Sequence, residues 1–134
     1  MIDSPDVLVV DDDPDLRDVV QSMLQVSGYE VRCAGNGQEA VEAVAQKMPA
    51  VVLLDMMMPV MDGWQCAREL RARYGGSVPI VVVTAAEHAR ARADQIDGAD
   101  AVLSKPFEMD DLLRAVARYA AKVGPGIRPS RVPG

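Results

Sequence analysis

The sequence predicts an α/β fold, a doubly wound parallel sheet of five strands with helices on both faces. Two patterns carry that expectation. Short runs rich in Val, Ile and Leu, of the length of buried strands, recur along the 134 residues. Between them lie segments with apolar residues at helical spacing, and strands alternating with helices in this way favour parallel crossovers. The length is that of one domain, and 49% of the chain is apolar, enough to bury a core.

The first strand is VLVV at residues 7–10, which stops at Asp11, Asp12 and Asp13. Asp13 precedes Pro14, so it suits the N-cap of a helix with proline at the first helical position and Asp15 in the first turn. Leu16, Val20, Met23 and Leu24 recur at i, i+4, i+7 and i+8, and Gly28 caps the end of this first helix. Tyr29, Val31 and Cys33 alternate with polar residues, as in a strand near an edge with one face less deeply buried. Asn36 and Glu39 have the spacing of a reciprocal capping box. Val41, Val44, Ala45 and Met48 then supply the apolar face of helix two, which Pro49 ends.

Residues 51–54 form the third strand, followed directly by Asp55. Asp62 and Gln65 repeat the capping device ahead of Trp64, Ala67, Leu70 and Tyr74 in helix three. Strand four is residues 80–83. Residues 87–96 are alanine-rich and charged with little apolar face, so the fourth helix packs weakly and is a candidate moving part. A weaker strand at 101–103 leads to a last helix with Leu112, Leu113, Val116, Ala117 and Ala120 in a stripe. After residue 123 the chain reads GPGIRPSRVPG, three glycines and three prolines in 11 residues, which cannot bury a core. The expected division is a domain at residues 1–123 and a linker or disordered tail at 124–134.

Composition excludes several functions. A net charge of -6 with no cluster of Lys and Arg argues against direct nucleic-acid binding. No apolar run approaches the roughly 18 residues of a membrane span, and no basic segment leads into an apolar one at the N-terminus. Cys33 and Cys66 stand in unlike contexts, which suggests two reduced thiols in a cytoplasmic protein.

In such a sheet, ligands bind outside the carboxyl ends of the strands. The residues there are Asp11, Asp12 and Asp13 after strand one, Asp55 after strand three, Thr84 after strand four, and Ser104, Lys105 and Pro106 after strand five. Capping accounts for Asp13. Asp11 and Asp12 have no comparable capping duty, and neighbouring carboxylates at the end of a buried strand are costly unless a cation neutralises them. Taken alone, Thr84 is a common strand residue and Lys105 an ordinary surface lysine. Together, three carboxylates, a hydroxyl and an ammonium, with no histidine or second nucleophile, suggest Mg2+ and a phosphoryl group. A carboxylate beside such a metal can attack phosphorus to form an acyl phosphate, while lysine and metal spread the charge and Thr84 bonds a phosphoryl oxygen.

VVDDDP, LLDMMMPVMDG, VVVTA and SKPF stand in this order along the chain. With these motifs the sequence resembles the receiver domain of two-component response regulators, from residue 6 to about 122. The resemblance implies a flavodoxin-like sheet of strand order 2-1-3-4-5, with Asp55 as the phosphoacceptor. The donor would be a phosphohistidine on a sensor histidine kinase or a histidine phosphotransfer protein. It further implies that Asp12 ligates Mg2+ directly and Asp11 mostly through water, with Asp55 and the backbone carbonyl of Met57 as further ligands. Lys105 would pair with the phosphoryl oxygens, and Lys105–Pro106 would be a cis peptide. Thr84 would move inward and carry the fourth helix and fifth strand with it, switching the surface these form with the last helix.

Two departures from the family pattern stand out. Relatives usually carry Tyr or Phe where this chain has Val102, so the usual aromatic readout is missing. Met57 and Ala86 are apolar where other members have polar side chains that orient water, which predicts slow self-dephosphorylation, and the resemblance implies a phosphoacceptor switch with no other enzymatic activity. The rival readings fit less well. A phosphohydrolase of the haloacid-dehalogenase type matches the D-x-D of Asp11 and Asp13 but leaves Asp55 unexplained. A calcium loop beginning at Asp11 fails at Leu16, where glycine is required, and at Ser22, where glutamate is required. His88, the only histidine, suits a solvated position better than a phosphodonor. With no output module in the 134 residues, the expectation is a stand-alone or adaptor regulator in preference to a piece of a longer one.

Overall fold

Parallel strands between two helix layers leave no face to solvent, and the central strands obey this rule. In a computed structural model, which describes residues 6–55, 63–85, 100–105 and 107–123, β1 (Asp6–Val10) and β3 (Val51–Asp55) are buried at every position. The other strands are β2 (Glu30–Ala34), β4 (Ile80–Ala85) and β5 (Ala101–Lys105). The helices are α1 (Pro14–Val26), α2 (Gly37–Gln46), α3 (Gly63–Tyr74) and α4 (Met109–Val123), with a 3-10 turn at Gly75–Ser77. All pairings are parallel and the order is β2-β1-β3-β4-β5, as the resemblance implied.

Alternate strand residues divide into two cores. Leu8, Val10, Val52, Leu54, Ile80 and Val82 pack with Ala40, Val41 and Val44 of α2 and with Cys66, Ala67 and Leu70 of α3. Val7, Val9, Val51, Leu53 and Val81 pack with Val20 and Leu24 of α1 and with Leu112, Val116 and Tyr119 of α4. Helices therefore cover both faces.

The helix ends show why the chain turns where it does. Asp13 caps α1, its Oδ1 accepting from Asp15 N at 3.0 Å and Leu16 N at 3.4 Å, with Pro14 first in the helix. At the other end Gly28, with φ +101, lets Tyr29 N–H return to Leu24 O at 3.1 Å and closes the last turn. Asn36 Oδ1 accepts from Glu39 N at 2.9 Å, but Glu39 Oε1 accepts from Gly35 N at 2.7 Å, so the reciprocal bond falls one residue before the cap. Helix α2 stops at Gln46, three residues short of Pro49, because Lys47 turns extended at φ -157. Ala45, within the helix, and Met48, beyond it, are exposed, and Ala40 completes the buried stripe. In α4, Ala117 is exposed and Tyr119 takes the buried place, its hydroxyl donating to Asp100 O at 3.0 Å. The cap expected at Asp62, the helix expected at 87–96, His88, Pro106 and the tail at 124–134 lie outside the described residues.

Candidate functional site

The register places the polar strand ends side by side. Val10 pairs with Leu54, so Asp11 follows β1 next to the point where β3 ends in Asp55. Asp55 is opposite Val83, one residue before Thr84, and Thr84 pairs with Ser104, one residue before Lys105. Asp11, Asp55 and Thr84 are buried, whereas Asp12 is exposed. Of the residues expected from the sequence, five converge here. Met57 lies outside the described residues, and Val102 sits on edge strand β5, 37% exposed, so no ring from that position closes over the site.

Carboxylate oxygens of Asp11, Asp12 and Asp55 lie within 4.8 Å of one another. Lys105 Nζ stands 3.8 Å from Asp11 Oδ2 and 3.8 Å from Asp55 Oδ1. Three carboxylates facing one ammonium leave a surplus of two negative charges at the buried end of the sheet, which a divalent cation would neutralise. The donor set suits magnesium, a hard ion taking oxygen ligands. Oxygens around such an ion stand about 3 to 4 Å apart, so small side-chain movements would close the cluster onto it. Thr84 Oγ1 is buried with no hydrogen-bond partner among the described residues, a donor awaiting an acceptor. Beneath the carboxylates a small cavity lined by Leu16, Val20, Leu53, Val83, Phe107 and Leu112 gives the site an apolar floor, which strengthens charge interactions above it.

Asp11 does more than the sequence suggests. Its Oδ1 accepts from Asp13 N at 2.9 Å, so it braces the turn into α1, while the cap itself is Asp13 as expected. A missed participant is Arg17, whose Nη1 donates to Asp11 O at 2.8 Å. The available signal was that Arg17 is the sole Lys or Arg between residues 6 and 31.

A parallel five-stranded sheet of order 2-1-3-4-5 with an acidic triad, a threonine and a lysine at its carboxyl edge defines a receiver domain, and the chain belongs to that family. The family model for the response regulator receiver domain matches residues 7–117. The chain is 38% identical over 124 residues to response regulator MprA of Mycobacterium sp. (strain KMS), covering 92% of this chain and 54% of that protein. It spans about half the length of the curated relatives it matches. Among solved structures it is similar to response regulator TrrA from Thermotoga maritima in complex with Mg(2+)-BeF, at TM-score 0.78 and 34% identity, covering 86% of this chain and 98% of that one. It is also similar to the receiver domain of sensor histidine kinase PA1611 from Pseudomonas aeruginosa, which has a magnesium ion coordinated in its active site cleft. There the TM-score is 0.79 and the identity 32%, over 87% of this chain and 98% of the other. Family membership leaves the haloacid-dehalogenase alternative without support.

Proposed function

We propose that Asp55 accepts a phosphoryl group from a phosphohistidine on a histidine kinase or histidine phosphotransfer protein. The observation that carries this reading is the placement of Asp55, buried at the end of β3 between two further carboxylates and the Lys105 ammonium. An Asp55 oxygen attacks phosphorus, a P–O bond forms as the P–N bond breaks, and the donor imidazole leaves. Asp11, Asp12 and Asp55, with the backbone carbonyl of Met57, are the residues that would hold Mg2+. Magnesium, when bound, neutralises the carboxylates so that an anionic donor can approach and disperses charge on the transferring group. Support comes from the TrrA complex, since a fluoroberyllate is tetrahedral like a phosphoryl group, and from the magnesium in the PA1611 cleft.

Lys105 pairs with a phosphoryl oxygen, and Thr84 Oγ1 donates to another. Because Thr84 and Ser104 are register partners, that inward movement is passed to β5 and to the surface it forms with α4. With Val102 in place of an aromatic ring, the readout runs through this backbone pairing. The output is a protein or domain that recognises the shifted surface. The receiver unit is residues 1–123, with 124–134 as a tail or linker, and it works in the cytoplasm without binding nucleic acid or membrane itself. The net charge of -6 opposes binding to a phosphate backbone, and no helix among the described residues is long and apolar enough to cross a membrane.

Incubation with acetyl phosphate and Mg2+, followed by intact mass, tests the chemistry. Wild type gains one phosphoryl group and Asp55→Asn none; an equally phosphorylated Asp55→Asn would refute the assignment. The apolar Met57 and Ala86 cannot orient an attacking water, so the acyl phosphate is long-lived and Met57→Asn shortens its half-life. A wild-type half-life of seconds that Met57→Asn leaves unchanged would overturn this part.

A further inference from the structure

Asp12 is exposed and takes no hydrogen bond or ion pair from the described residues, yet its carboxylate belongs to the cluster. Its place is therefore set through its backbone. The peptide before it is held by Arg17, whose Nη1 donates to Asp11 O at 2.8 Å. The peptide after it is held by Asp13 N, which donates to Asp11 Oδ1 at 2.9 Å. Asp11 N in turn donates to Ala34 O of β2 at 3.1 Å, so the start of the turn is tied to the sheet. Of these three ties only the Arg17 bond comes from a side chain outside the turn.

Arg17 reaches Asp11 O past Gly35. A Cβ at Gly35 would lie 3.0 Å from Arg17 Nη1 and 3.4 Å from Glu39 Oε1. Gly35 is not among the glycines at positive φ, so what it supplies is room rather than backbone freedom. Glu39 Oε1, already accepting from Gly35 N, faces the same spot and favours a cation there. A flat guanidinium suits such a slot better than a bulky hydrated ammonium.

We propose that Arg17 is a positioning residue for the metal ligand Asp12, acting through the Asp11 carbonyl in the space left by Gly35. This rests on the reading of Asp11, Asp12 and Asp55 as a magnesium site. Outer residues that orient ligands typically change metal affinity by about 10- to 100-fold when removed. Calorimetric Mg2+ titration of wild type, Arg17→Met, Gly35→Ala and the double variant tests it, together with thermal unfolding in chelator.

Arg17→Met weakens Mg2+ binding by about tenfold. Gly35→Ala weakens it by a smaller factor while leaving the metal-free unfolding temperature near that of wild type, since alanine at an ordinary φ introduces no backbone strain. The double variant binds no more weakly than Arg17→Met, because both changes act on one guanidinium. Arg17→Met binding as tightly as wild type overturns the proposal, as do effects that multiply in the double variant. Asp12→Asn separates the two readings: binding lost there but intact in Arg17→Met refutes Arg17 alone. No Mg2+ binding by wild type refutes the site itself, and this proposal with it.

Discussion

Thr84 buries a hydroxyl that nothing among the described residues satisfies, in a strand where valine would fit the same volume. Such a group costs stability, and the proposed bond to a phosphoryl oxygen would give it work in another state. Thr84→Val should therefore raise resting stability by about 1 kcal/mol in urea titrations. The proposed switch requires a change in β5 amide exchange on incubation with acetyl phosphate and Mg2+, and Thr84→Val should abolish it. A Thr84→Val chain less stable than wild type would show that the hydroxyl is not idle at rest. Cys66 makes the opposite case. It is fully buried, its Sγ lies 3.8 Å from Gly37 O, and burial, helped by Glu69, pushes the thiol from 9.0 up to about 12. An acid whose folded pKa is raised gives stability that is complete below the unfolded value and lost as pH climbs toward the folded one. Between about pH 9 and 12 the wild type should thus lose stability faster than Cys66→Ala, a difference that denaturant titrations at stepped pH would measure. Exposed Cys33 should react with thiol reagents in the native protein while Cys66 does not.

At the scale of elements, Arg32 on edge strand β2 joins three pieces of the fold. Its Nε donates to Asp6 Oδ2 at 2.9 Å, Nη1 to Ala43 O at 2.8 Å and Nη2 to Lys47 O at 2.6 Å. Helix α2 has no basic residue in its last turn, so Arg32 supplies the cation there, adding a second donor to Ala43 O, which already accepts from Lys47 N, and one to Lys47 O. Removing it leaves the buried Asp6 carboxylate unpaired. Arg32→Met should cost about 3 kcal/mol by denaturant midpoint, the low end for a buried pair because Arg32 is partly exposed. Mg2+ affinity should stay unchanged, because the clasp lies toward the amino ends of the strands, and a parallel loss of affinity would contradict this separation. Sequence showed the start of α1 well, since Asp13–Pro14 is a local signal. It misjudged the end of α2 because termination rested on Lys47 turning extended, which no nearby residue type dictates. Glu39 was misassigned by one residue for a similar reason: its side chain can reach either Gly35 N or Asn36 N, and the path of the preceding loop decides between them.

For the whole molecule, the convergence of Asp11, Asp12, Asp55, Thr84 and Lys105 was legible because parallel strands end together and the sheet order follows from the crossovers. Contacts between loops were not, since Arg17 meets Asp11 O only where the chain after β2 leaves room at Gly35. The fold therefore gathers like charge that its own side chains balance only in part, and its stability should depend on the ion. A ligand bound only by the folded state at a hundredfold excess over its Kd adds about 2.7 kcal/mol. For a domain of this size that corresponds to roughly 8 to 10 °C in unfolding temperature. Millimolar Mg2+ should raise the melting temperature in proportion to the logarithm of its concentration once above Kd, and chelator should reverse the rise. Asp12→Asn should remove most of this dependence and leave the metal-free protein at least as stable as wild type, because one of three mutually repelling carboxylates is gone. Sodium chloride at matched ionic strength distinguishes binding from screening: if it reproduces the full Mg2+ effect, the carboxylates are only being screened and the cluster does not coordinate a divalent ion.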